Sequence, residues 1–235
     1  MIRWARQALL STLLALTAPL VGQAQAADAS AEARRIAAPV TDAARDALAA
    51  DAALPPPTST RERLERMGRL DQAVREGLKK IDFATLTPST SQEVGRLIGE
   101  ALGSIDRANM EQLASMIPAE GWFTRGQYGA AASKAAMLIV QHAADLPTRK
   151  ALLPRLEPLA RAGEIDGGDY AMLYDRTAIW DGGRQRYGTQ MICVNGRAQP
   201  QPLEDAARVE ALRAGLRIRQ TYAGYVAEHA GGPCV

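Results

Sequence analysis

The chain reads as a mainly helical α+β fold with one β-hairpin in its C-terminal third. Most of it carries apolar residues at helical spacing. A single interval switches to alternation with a period of two, and at its centre stands Asn195-Gly196, the strongest two-residue hairpin signal. Gly and Pro residues punctuate the rest at intervals that suit helices joined by short turns.

Taken in order, residues 1–26 have the form of a secretory signal peptide. Arg3 and Arg6 precede an apolar stretch from Ala8 to Val21, and Ala24-Gln25-Ala26 supplies the small residues of a cleavage site. Pro19 interrupts the apolar stretch, which falls short of the roughly 20 residues needed to span a bilayer. The expected location is the periplasm or the exterior, with no membrane span once the leader is gone. Loss of the leader removes two arginines and no acid, taking the formal net charge from +2 to zero. Such a balance lacks the footprint of a nucleic-acid binder.

Residues 27–58 read as an Ala- and Pro-rich lead and linker. Few large apolar residues occur there, Pro39 is expected to interrupt any helix, and Leu54 to Thr58 forms a stiff connection. A single helical domain is expected over 59–235. Ser59 and Glu62 form a capping-box signature for a helix to about Lys80, whose core side holds Leu64, Met67, Leu70, Asp71, Val74 and Leu78. Two further helices are expected at Gln92–Ile105 and Arg107–Ile117, the second capped by Asp106. Gln127–Ala144 is apolar nearly all round and therefore central. Pro147–Ala162 is helical by pattern but should bend or split at Pro154 and Pro158. Another helix follows Gly167 and Gly168 and stops at Asp181, Gly182 and Gly183, the hairpin covers about 185–203, and Glu204–Glu228 returns to helix with a joint at Gly215.

The chemistry concentrates around Asp175-Arg176. On a helix the neighbours of Asp175 are Ala171, Met172, Ala178 and Ile179, and those of Arg176 are Met172, Leu173, Ile179 and Trp180. All are apolar, so both charges need partners from other elements. His142 projects from an apolar stripe and is the candidate acid/base, with Asp145, Asp71 or Asp175 fixing its tautomer. His142 and Asp175 are thus the catalytic candidates. Asp71, Arg75, Gln141, Arg176, Gln185, Tyr187 and Gln190 are the substrate-binding ones, Arg176 as holder of an anionic group. Gln185, Tyr187 and Thr189 would share one strand face and Gly188, Gln190 and Ile192 the other. The competing reading makes these residues a structural network, with amide side chains pinning a short hairpin.

Cys193 and Cys234 are the only cysteines, and a disulfide between them suits an exported chain. The alternative is one buried thiol and one in the tail. No G-x-S-x-G elbow, P-loop, H-E-x-x-H or paired C-x-x-C occurs. No metal site is expected, a hard cation having only Asp71, Asp106 and Asp175 to draw on. Cofactor and partner are unspecified beyond an unknown small molecule or envelope component.

In combination these residues resemble a bacterial domain-of-unknown-function family, number 6624. The resemblance rests on Asp71-Gln72-x-x-Arg75, Asp106-x-x-Asn109, Gly121-Trp122, Gln141-His142-Ala143, Leu173-Tyr174-Asp175-Arg176, Gln185-x-Tyr187-Gly188-Thr189-Gln190 and Arg213-x-Gly215-Leu216, spanning about 60–225. The family pattern often has proline after Gly-Trp, where Phe123 stands here. The resemblance supplies no activity and implies that these polar residues belong together. Two functions fit: a hydrolase-like or lyase-like envelope enzyme, or a non-catalytic ligand-binding or interaction module.

Overall fold

The computed structural model describes residues 20–232, with side chains from residue 31 onward. The first 19 residues of the leader and Cys234 lie outside the described residues.

Helix α1 (Leu20–Ala52) runs without a break through Pro39. Sequence reading kept this segment out of the core, yet Ala33, Ala37, Val40 and Ala44 form a buried stripe. Their small size is the reason. They let α1 lie close against α2 (Thr60–Leu78) and α3 (Pro88–Met116), where Val74, Val94, Ile98 and Ile105 complete an apolar cluster. At Gly77 the approach is so tight that a Cβ would stand 2.3 Å from the Pro39 carbonyl oxygen. Packing of this kind offsets the one hydrogen bond that Pro39 removes.

Ser59 caps α2 as expected, its hydroxyl accepting from the Glu62 N–H at 3.2 Å, while Glu62 reaches back to the Thr58 N–H at 2.8 Å. Helix α3 corrects the expectation of two helices. Thr87 caps it, Pro88 occupies its first turn, and it passes straight through Asp106. Asp106 does not cap because its carboxylate is engaged by Arg75. No Pro stands there and Gly103 stays helical, so nothing local ends the helix.

After a turn in which Trp122 and Phe123 are buried anchors, the expected central helix starts late. Gly129, at φ +83°, separates the short α4 (Arg125–Tyr128) from α5 (Ala130–His142). Helix α6 (Leu146–Ala162) is one element despite Pro154 and Pro158. Both prolines are exposed and four residues apart, so the carbonyls they leave unpaired face water. Asp166 caps α7 (Gly167–Trp180), accepting from the Gly168 and Asp169 N–H groups. A larger apolar cluster joins Leu64, Met67 and Leu113 to Met137, Leu156, Leu173 and Tyr187.

The hairpin is shorter than 185–203. Strands β1 (Met191–Val194) and β2 (Arg197–Pro200) pair antiparallel with Val194 opposite Arg197, and Asn195 and Gly196 take φ of 51° and 73° as a two-residue turn requires. Gln185 makes only an isolated bridge to Leu203, and the residues after it are not strand, because the N–H groups of Arg186, Tyr187, Thr189 and Gln190 turn onto side chains rather than a neighbouring strand. The expected C-terminal helix divides into α8 (Val209–Gly215) and α9 (Tyr222–His229), with Arg217 at φ 60° between them.

Candidate functional site

Along α2 the buried apolar residues Met67 and Val74 belong to different clusters, and along α3 so do Leu113 and Ile105. Asp71, Arg75, Asp106 and Asn109 fall between them, and form a polar seam where the two cores meet. Asp71, with only 1% of its side chain exposed, accepts from three neighbours. Arg75 Nη1 donates at 2.9 Å, Gln72 Nε2 at 2.6 Å and His142 Nδ1 at 2.9 Å. The other arm of Arg75, Nη2, donates to both carboxylate oxygens of Asp106, at 2.8 and 2.9 Å. Burial raises the Asp106 carboxyl above its usual pKa, and the Arg75 hydrogen bond opposes that rise.

His142 ends α5 and reaches across to α2. With Asp71 as acceptor, Nδ1 carries the proton and the neutral ring keeps its lone pair on Nε2. Among the described residues Nε2 has no hydrogen-bond partner, and the ring is 14% exposed. Of the three acids named for this His, the fold selects Asp71. Asp145 instead caps α6 through the Thr148 N–H at 3.1 Å.

Beside this seam the end of α5 is held by Arg149, a fully buried guanidinium from α6. It donates to the carbonyls of Val140, Gln141 and Ala143, and its Cζ lies 4.3 Å from the Trp180 ring centre. A cation here complements the negative end of the helix. Burial, followed by the charge of Arg176, brings its pKa down to about 10. Arg149 Nη1 and Gln141 Oε1 are both sealed without a partner. Arg176 itself is half-buried and has no hydrogen bond or ion pair among the described residues. Burial and the Arg75 charge hold its pKa below the ordinary guanidinium value.

Asp175 belongs to a separate group. Its Oδ1 accepts from the backbone N–H of Arg186 at 2.6 Å and of Tyr187 at 3.0 Å, and its Oδ2 from Thr189 N–H at 3.0 Å and Oγ1 at 2.9 Å. The loop at 185–190 therefore folds around a wholly buried carboxylate, an anion nest whose anion belongs to the chain itself. Burial pushes the Asp175 pKa up while these donors pull it down. Gly188, at φ +73°, completes the loop against Tyr222, where a Cβ would stand 2.4 Å from the ring.

Gln185 pins the same loop, donating to Gln201 O at 2.6 Å and accepting from Gln190 N–H at 2.7 Å. The Gln190 side chain donates to Thr189 Oγ1 at 3.1 Å. Tyr187 is buried edge-on against Tyr170 and Tyr174, its hydroxyl is unpartnered, and burial raises its pKa to about 12. Its carbonyl accepts from Arg213, which also holds Gln220 O and so ties the loop to α8. The nine predicted catalytic and binding residues thus divide. Asp71, Arg75, Gln141, His142 and Arg176 gather at the ends of α5 and α2, and Asp175, Gln185, Tyr187 and Gln190 build the loop beside them.

Sequence reading does not single out Arg149, and it leaves Gln72 and Asp106 outside the catalytic and binding set although both stand in the motifs. Arg149 carried a readable signal, since Leu146, Leu152 and Leu153 surround it at helical spacing as apolar residues surround Arg176. Asp175 does not join Asp71 and Asp106, and among the described residues no cluster of three His, Cys, Asp or Glu side chains could hold a metal ion. A cleft of about 380 Å³ opens beside the seam, bordered by Asp106, Met110, Ala143 and Asp145.

No curated protein and no solved structure matches the chain. The model of the Family of unknown function (DUF6624) matches residues 57–229, the span that holds α2 to α9 and both polar groups, and the chain belongs to that family.

Proposed function

We propose that this is an exported enzyme of the cell envelope, hydrolase-like or lyase-like, in which His142 is the general acid/base and Asp71 its orienting carboxylate. One observation carries the reading: His142 Nδ1 is fixed by a buried carboxylate at 2.9 Å while Nε2 has no partner among the described residues and the ring keeps contact with solvent. Arg75 holds Asp71 in place by spanning it and Asp106. The cleft beside Asp106 and Ala143 gives a route of approach. In this reading Asp175, Gln185, Tyr187 and Gln190 shape the neighbouring wall rather than take part in chemistry, since the polar side-chain groups of Asp175, Gln185 and Gln190 are engaged within the loop and the Tyr187 hydroxyl is buried beside Tyr170 and Tyr174.

The second reading, a ligand-binding or interaction module with a structural network, is favoured by the balance of the seam. Arg75 joins Asp71 to Asp106 inside the protein, and Gln72 and His142 take up the remaining capacity of Asp71. A thermal-shift screen of envelope metabolites, peptides and glycans separates the two when run on wild type, His142→Ala and Asp71→Asn. If His142→Ala keeps every ligand response and merely melts earlier, the catalytic reading fails.

Export through a signal peptide cleaved after Ala26, and a Cys193–Cys234 disulfide, belong to the same proposal. The tail returns to the hairpin, Ala198 exchanging backbone hydrogen bonds with Gly231 and Gly232 at 2.8 and 2.9 Å while Ala198 faces Cys193 across the strands. Intact mass of the exported chain, with and without reductant, tests cleavage and bond together.

A further inference from the structure

We infer that Arg176 is the centre of an oxyanion-binding subsite, so that the ligand of this site carries a carboxylate or phosphate group. This deepens the acid/base reading and rests on it for the placement of the reacting bond near His142. The subsite itself stands on independent observations.

Arginines that are half-buried are ordinarily paired, because guanidinium is costly to remove from water without an acceptor. Arg176 has no acceptor among the described residues. Its surroundings make the deficit larger. Trp180 lies four residues on along α7, on the same face, and the ring of Trp180 stacks on Arg149. Arg149 is 1% exposed and its Nη1 lacks a partner. Arg75 acts on Arg176 as a second repelling charge.

The nearby acids do not relieve this. Asp71 and Asp106 are committed to Arg75, and both oxygens of Asp175 point into the 185–190 loop. Tyr225, the other polar group acting on Arg176, donates its hydroxyl to Thr189 O at 2.9 Å. A half-buried guanidinium with Arg75 and Arg149 as neighbouring like charges, and no acid paired to it among the described residues, is arranged for an anion from outside. The planar fork of Arg176 suits either a carboxylate or a phosphate.

The test titrates wild type, Arg176→Gln, Arg176→Lys and His142→Ala separately with inorganic phosphate and with acetate at constant ionic strength, following Arg side-chain and backbone NMR signals. Saturable binding to wild type is expected, weakened about tenfold or more in Arg176→Gln, less in Arg176→Lys, and within about twofold of wild type in His142→Ala. A response to phosphate alone assigns a phosphorylated ligand, and a response to acetate assigns a carboxylate. Equal binding by Arg176→Gln and wild type, or no binding of either anion to wild type, overturns the inference. Retained binding in His142→Ala keeps the subsite even where the screen above has removed the catalytic role.

Discussion

Replacing Asp175 with Asn changes one oxygen to an NH2 group and almost nothing else in shape. The wild-type carboxylate takes Arg186 and Tyr187 N–H on Oδ1 and Thr189 N–H and Oγ1 on Oδ2. Asn can satisfy one side only. If its oxygen keeps the Oδ1 side, the Thr189 N–H faces an amide donor; if it keeps the Oδ2 side, the Arg186 and Tyr187 N–H groups do. A buried donor left unpaired costs about 1–3 kcal/mol, and loss of the charge weakens the remaining bonds. Relief of burying that charge works in the opposite direction, since burial already raises the Asp175 pKa. The net expectation is a loss of about 2–4 kcal/mol. For a chain of this size that lowers Tm by about 6–12 °C. Urea denaturation measures the first figure, and amide hydrogen exchange at Arg186, Tyr187 and Thr189 should accelerate selectively. A variant within about 0.5 kcal/mol of wild type, with those amides still protected, would refute the claim that Asp175 organises the loop.

Gly77→Ala should separate α1 from α2, because the new methyl would stand 2.3 Å from the Pro39 carbonyl oxygen; the expected loss is about 1–3 kcal/mol with faster proteolysis of α1. Unchanged stability and proteolysis would mean that α1 is not held at this contact. Asp169 supplies a pH dependence. Burial raises its carboxyl from 3.8 to about 6, and its Oδ2 is sealed without a partner. The folded state therefore holds the proton more tightly than the unfolded one, so stability is higher below pH 4 and falls as the pH rises through 6. Lys134 and the helix N-terminus offset part of the penalty, so Asp169→Asn should gain about 1–3 kcal/mol at neutral pH and little at acid pH. Urea curves at the two pH values check it, and an equal gain at both would count against a raised carboxyl.

What could be read from the chain was local. Asn195-Gly196 specified its turn, Ser59 its cap, and Asp71 and Arg75 their pairing four residues apart, because each depends on neighbours along the backbone. The apolar surroundings of Asp175 and Arg176 showed that both needed outside partners, and Asp175 found them in Arg186, Tyr187 and Thr189. Arg176 found none. Failures of the reading fell where packing overrode local preference. Alanines 33, 37 and 44 looked too small for a core, yet smallness is what permits the close approach at Gly77. Residues 185–190 alternate like a strand, but a buried carboxylate competed for their N–H groups and won.

Sequence by itself therefore determined the helical class, the hairpin turn and the residue types available for acid/base work. It also narrowed the orienting acid of His142 to three. Only the tertiary structure decided among them, since Asp71 lies 71 positions from His142 and Asp145, three positions away, is spent on a helix cap. It also decided that Asp106 would serve Arg75 rather than begin a helix, and that Arg149 would close the end of α5. The physical reason is common to all of these. A buried charge takes whichever partner the packing of distant helices brings within 3 Å, and that distance is not a property of any local stretch of chain.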